Sequence, residues 1–128
     1  VGARLTDVPG ASRSFLGGVV AYTADVKAAQ LAVPQALLAE HSAVSEAVAR
    51  AMAKGVRERF GATYALALTG NAGPTADAGS TDVGLLYLCA EGTEGASVEE
   101  HRLSGSREAI RLRATQLGLN LLLRAVRR

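Results

Sequence analysis

Apolar positions recur along this chain in two rhythms, one suited to strands and one to helices. The run Phe15-Leu16-Gly17-Gly18-Val19-Val20-Ala21-Tyr22 is short, apolar and β-branched near its end. It reads as a buried strand, with Gly17 and Gly18 marking a bulge or a close backbone approach. Residues 64–69 and 83–90 are two further apolar runs, and the more polar 97–103 is a fourth. Between the last two lies Glu91-Gly92-Thr93-Glu94-Gly95, a turn that predicts an antiparallel hairpin.

Helical spacing fills the intervals. Val48, Met52, Val56 and Phe60 repeat every fourth residue, while Arg50, Lys54, Arg57 and Glu58 take other faces. Ile110, Ala114, Leu117, Leu121 and Ala125 form a similar stripe near the end. Thr23, Ser45 and Ser106 stand where N-caps belong, and Gly61 where a helix stops. Residues 24–31 and 34–41 complete the set, the second opened by Pro34. Residues 1–5 read as the end of a helix stopped by Asp7-Val8-Pro9-Gly10. Strands separated by helices predict parallel pairing. The expected fold is therefore α/β: a three-layer α/β/α sandwich over a mixed, mostly parallel sheet with four strands.

Composition sharpens this picture only slightly. The 128 residues are 48% apolar and 4% aromatic with no Trp, so one domain builds its core from Leu, Val and Ala. A net charge of +2 is too small to predict direct nucleic-acid binding. The terminal Arg124, Arg127 and Arg128 suit the last turn of a helix. Cys89, the single cysteine, reads as a small buried hydrophobe and points to a reducing, cytoplasmic setting. No apolar run approaches the roughly 20 residues that span a bilayer, so no membrane partner is expected.

Ligands of open α/β sheets bind beyond the carboxyl ends of the strands. Two segments fit: Tyr22-Thr23-Ala24-Asp25-Val26-Lys27 and Thr69-Gly70-Asn71-Ala72-Gly73-Pro74. Taken singly, Lys27 reads as a solvated helix lysine, Tyr22 as a half-buried strand residue and the glycine-rich loop as a turn. His41 and His101 lack Cys or carboxylate neighbours at ligand spacing, so neither a metal nor a cofactor is expected.

The combination says more than its parts. Leu5-Thr6-Asp7-Val8-Pro9-Gly10-Ala11-Ser12, the run 15–22 and Ala39-Glu40-His41-Ser42-Ala43-Val44-Ser45-Glu46 occur in order. The Thr69–Pro74 loop, Val83-Gly84 and Leu103-Ser104-Gly105-Ser106-Arg107 follow. This series resembles, over essentially the whole chain, the C-terminal domain of competence/damage-inducible protein A (CinA) and its stand-alone relatives. The resemblance implies hydrolysis of the carboxamide of nicotinamide mononucleotide to the carboxylate and ammonia. It implies a serine nucleophile in a Glu-Ser-Cys-Thr-Gly-Gly turn, which these residues do not contain. That turn, with one helix and one strand, is expected to precede Val1.

The family's Thr-Tyr-Ser-Asn-Glu-Ala-Lys falls on residues 21–27, which places its Tyr and Lys on Tyr22 and Lys27. Ser-Lys pairs are a variant of the Ser-His arrangement, with Lys27 as base and Tyr22 orienting it or passing a proton. The dipole at a helix N-terminus disfavours a positive charge on such a lysine. The family's Gly-Ile-Ala-Gly-Pro becomes Gly70-Asn71-Ala72-Gly73-Pro74, and its glycine-rich continuation becomes Thr75-Ala76-Asp77-Ala78-Gly79-Ser80-Thr81. Substrate binding is expected from Thr69, Gly70, Asn71 and Gly73, with Arg107 on the phosphate.

A catalytically silent nucleotide-binding or assembly domain is the alternative. If the preceding strand is missing, residues 15–22 or 64–69 present an unpaired, apolar edge, and a homo-oligomer or an open cleft beside Tyr22 and Lys27 is expected.

Overall fold

A computed structural model describes residues 1–75 and 82–128. Helix α1 spans Gly2–Thr6, and a single 3₁₀ turn follows at Ala11–Arg13. Helices α2 (Ala24–Leu31), α3 (Gln35–Glu40) and α4 (Glu46–Phe60) precede strands β1 (Ala65–Gly70), β2 (Leu85–Gly92) and β3 (Gly95–Arg102). Helix α5 (Arg107–Val126) closes the order.

Local chemistry accounts for the helix ends. The side chains of Thr23, Ser45 and Ser106 accept the backbone N–H of Val26, Val48 and Ala109 at 3.2, 3.3 and 3.1 Å. Each satisfies a donor that the helix itself leaves unpaired. At the other end of α4, Gly61 adopts a left-handed φ of 62° that stops the helix without steric cost.

The sheet departs from expectation. It has three strands in the order β1-β2-β3, and both pairings are antiparallel. Its register sets Leu68 opposite Leu88 and Gly92 opposite Gly95. The expected parallel pairing counted residues 15–22 as a strand. They form no ladder among the described residues, and the strands that remain follow one another without an intervening helix. A chain that turns straight back on itself pairs antiparallel.

Residues 15–22 nevertheless keep the alternation of a strand. Phe15, Gly17, Val19 and Ala21 are half-buried, while Leu16, Gly18, Val20 and Tyr22 are exposed. Val19 and Ala21 pack on the core beneath α4. Gly17, at φ 155°, lies against Phe60, whose ring a Cβ would meet at 3.3 Å.

Two cores divide the strands by alternation. On one face Ala67 and Cys89 meet Leu31, Val33, Val48, Ala49, Met52 and Ala53. On the other, Leu86, Leu88 and Ala90 meet Ala114 and Leu121, with Leu66, Leu68 and Leu117 partly buried around them. The three-layer arrangement thus holds, with α4 and α5 on opposite faces of the sheet. Small residues set the spacing. A Cβ on Gly55 of α4 would sit 1.8 Å from the Leu31 carbonyl oxygen, so the helix-strengthening change to alanine is sterically closed there. Two of the three terminal arginines find partners on β3: Arg124 pairs with Glu99, and Arg128 Nη2 donates to Ser97 Oγ at 2.7 Å.

Cys89 has no exposed surface, and burial pushes its thiol from an ordinary 9.0 up to about 11. At pH 8 only about one native thiol in a thousand is then a thiolate. A thiol reagent at pH 8 should leave the native protein unlabelled and modify it fully in denaturant. Because the folded pKa is raised, this group's stabilisation is complete below pH 9 and declines as pH rises towards 11. Chemical denaturation at pH 8 and pH 10.5 should show a loss that Cys89→Ala reduces.

Candidate functional site

The first group of candidate residues stands where the extended segment enters α2. Lys27 lies in the first turn of that helix, only 7% exposed, and its Nζ donates to the Ala21 carbonyl at 3.1 Å. It is not a solvated helix lysine. Tyr22, by contrast, is 77% exposed and is not the half-buried strand residue its sequence context suggests. Its hydroxyl makes no hydrogen bond among the described residues, whereas Lys27 is held on the Ala21 carbonyl.

The second group gathers at the end of β1. Thr69 is buried and donates its hydroxyl to the Ala43 carbonyl at 2.7 Å, tying the strand to the turn before α4. In that turn Ser42 Oγ accepts the Val44 N–H at 3.1 Å. Gly70 follows, and a Cβ there would stand 3.0 Å from both the Leu85 oxygen and Leu86 Cδ1. A side chain there would make Leu85 and Leu86 give by a few tenths of an ångström.

Asn71 is the departure from the family's apolar residue, and its amide is used inside the loop. Its Oδ1 accepts the Gly73 N–H at 2.9 Å, and its Nδ2 donates to the Thr75 carbonyl at 3.2 Å. Its main chain exchanges with the next strand: its N–H reaches Leu85 O at 3.1 Å, and its O accepts from Gly84 at 2.7 Å. Gly73 takes a left-handed φ of 77° ahead of a cis bond to Pro74. Arg107 Nη1 reaches back from α5 to the Gly73 carbonyl at 2.9 Å. The loop is therefore fixed from three sides. The altered run after Pro74 falls on residues 76–81, outside the described residues.

The structure joins Gly70, Asn71, Gly73 and Arg107 into one unit, while Thr69 faces the other side of β1, towards α4. Beside the unit lies a groove of about 440 Å³, between the end of β1 and the first turns of α5. Leu68, Gly70, Ala72, Leu86 and Ile110 line it, with Arg111 and Thr115. Sequence reasoning named Arg107 and passed over Arg111. The signal was available, because residues four apart share a helix face. Ser106 caps α5 with its hydroxyl, and His101 pairs with Glu99 at 2.8 Å. Among the described residues no group of three or more His, Cys, Asp or Glu could hold a metal, and no helix is long and apolar enough to cross a membrane.

The family model of the CinA C-terminal domain matches residues 1–126. The chain belongs to the CinA C-terminal domain family. A CinA-like protein of Gemmatimonas aurantiaca is 44% identical over 128 residues, all of this chain and 30% of that protein. The chain thus spans about a third of that curated relative's length. Among solved structures, a CinA superfamily protein of Escherichia coli superposes with a TM-score of 0.91 at 29% identity, covering 95% of this chain and 71% of that one. A competence/damage-inducible protein of Agrobacterium tumefaciens gives 0.89 at 34% identity, covering 95% and 75%. The α/β arrangement with its antiparallel sheet is thus the arrangement shared with these CinA proteins.

Thr69→Val keeps the side chain's shape but leaves the buried Ala43 carbonyl without its donor. Urea denaturation should show a loss of about 1–3 kcal/mol. A smaller change would mean that the bond does not hold the turn to the strand.

Proposed function

We propose that this chain carries the base and the substrate loop of an amidohydrolase acting on the carboxamide of nicotinamide mononucleotide. The observation that carries this reading is Lys27, a lysine withdrawn from solvent at the start of α2 and held on a backbone carbonyl. Its position matches the family's lysine. In the proposed reaction a serine hydroxyl from the family's Glu-Ser-Cys-Thr-Gly-Gly turn attacks the carboxamide carbon. Neutral Lys27 takes the hydroxyl proton and returns it to the departing nitrogen, which leaves as ammonia. Water then releases the carboxylate. Loop Gly70–Gly73 lies alongside the substrate, and Arg107 keeps it in shape. Tyr22 meets the substrate from the solvent side.

Residues 1–128 contain no such turn and should release no ammonia from the nucleotide alone. The same residues joined to the turn should do so, and Lys27→Met should lower the rate by about 10²–10⁴ with circular dichroism unchanged. Ammonia release by residues 1–128 that disappears in Ser12→Ala or Ser14→Ala would overturn the assignment of the nucleophile.

A second reading, assembly rather than catalysis, is favoured by the outer row of residues 15–22. Leu16, Val20 and Tyr22 are 61, 88 and 77% exposed on an extended segment with no ladder partner among the described residues. Such an edge recruits another chain. A homo-oligomer detected by sedimentation should become monomeric in Val20→Lys, and an unchanged sedimentation profile would remove this reading.

A further inference from the structure

We infer that Gly55 and Ala32 are positioning residues for Lys27: together they seat the end of α2 on α4, and that seat keeps the Lys27 ammonium on the Ala21 carbonyl. This deepens the amidohydrolase reading, and it rests on that reading only for what Lys27 does to a substrate.

Helix α2 has two turns, too few to hold itself in water, so its position is set by the element it packs on, α4. Lys27 and Leu31 stand four residues apart and share the buried face. Whatever fixes Leu31 therefore fixes Lys27. The last carbonyls of a helix have no partner within it. Here α4 receives two of them. Arg59 Nη1 donates to the Gln30 carbonyl at 3.3 Å, and the Leu31 carbonyl oxygen comes so near Gly55 that a Cβ there would stand 1.8 Å from it. Real Cβ atoms come no closer than 3.0 Å. In a close-packed interior, alanine at 55 would therefore push the end of α2 outward by about 1 Å.

Ala32 closes the helix from the other side. Among the described residues it is the one non-glycine residue with a left-handed backbone, at φ 54° and ψ 32°. A Cβ makes that conformation costly, and it persists only where the surroundings enforce it. Its effect falls on Lys27. The Ala32 N–H and the Val33 N–H, the latter at 3.2 Å, both turn back onto the Lys27 carbonyl. The Lys27 N–H is bonded to the Thr23 carbonyl at 3.0 Å. Both backbone groups of Lys27 are thus held, one from each end of α2, and Val33 passes directly into the core.

The sequence has two lysines, buried Lys27 and exposed Lys54, so the second is an internal reference for the first. The test labels the 128-residue protein with sulfosuccinimidyl acetate, a charged reagent that stays outside the core, and reads the rate at each lysine by mass spectrometry. In the parent, Lys27 should react at least tenfold more slowly than Lys54. Gly55→Ala should raise the Lys27 rate at least threefold relative to Lys54. Ala32→Val, whose branched Cβ resists the left-handed turn, should do the same, and Ala32→Gly should match the parent. Leu121→Ala loosens the core on the other face of the sheet and should leave Lys27 protected. The two positions act on α2 from different sides, so either variant that folds decides alone. Parent-like protection of Lys27 in folded Gly55→Ala or Ala32→Val would overturn the inference, as would equal exposure of Lys27 in Leu121→Ala. Joined to the Glu-Ser-Cys-Thr-Gly-Gly turn, Gly55→Ala should lower kcat about 100-fold with KM unchanged. If Gly55→Ala frees Lys27 but the parent joined to the turn releases no ammonia, the seat stands and the amidohydrolase reading fails.

Discussion

Burial of β1 between two helices is the constraint on which both the core and the candidate site rest. Ala65, Ala67 and Thr69 turn one way, where their small volume lets α4 approach, and Leu66 and Leu68 turn the other way, towards α5. A register slip of one residue would exchange these sets, driving leucines into the space beneath α4 and alanines into the wider space beneath α5. Gly118 of α5 lies against both leucines, where a Cβ would meet their methyl groups at 3.2–3.3 Å, so α5 too is seated by this alternation. The strand's last residue is the first of the candidate loop. The precision of the loop is inherited from the packing of the strand.

That inheritance is continued by hydrogen bonds rather than by hydrophobic contact. Past Gly70, Asn71 holds the chain with four bonds among the described residues, two from its main chain and two from its amide. Arg107 then closes the loop from α5, and α5 is in turn fixed by the core around Leu88 and Leu121. The asparagine amide, which the family's apolar residue in the resemblance lacks, is thus spent inside the loop.

Much of this was legible in the sequence. Caps at Thr23, Ser45 and Ser106, the stop at Gly61, the four-residue stripe of α4 and the β2–β3 hairpin all follow from local rules, and the structure obeys them. Residues 15–22 were misplaced because alternation and β-branching report an extended chain with one buried side and are silent about its neighbours. Parallel pairing was then inferred from a strand that joins no ladder among the described residues. The groove escaped notice for a related reason. Arg107 sits in a recognisable motif and Arg111 on a helical face, and only the packing of α5 on β1 shows which guanidinium is committed and which looks into open space.

Lys27 separates stability from function most clearly. Withdrawing an ammonium from water costs free energy even when it meets a carbonyl, and an apolar side chain of similar length would fill the same space without that cost. Leu31, one turn further along α2, and Val33, whose N–H meets the Lys27 carbonyl, both belong to the apolar core. The Ala21 carbonyl lies on the same segment whose outer row leaves Leu16, Val20 and Tyr22 in solvent. A buried lysine and an apolar row with no ladder partner among the described residues thus meet at the same end of the extended segment. Both support the proposed encounter with another molecule at the junction of the extended segment with α2.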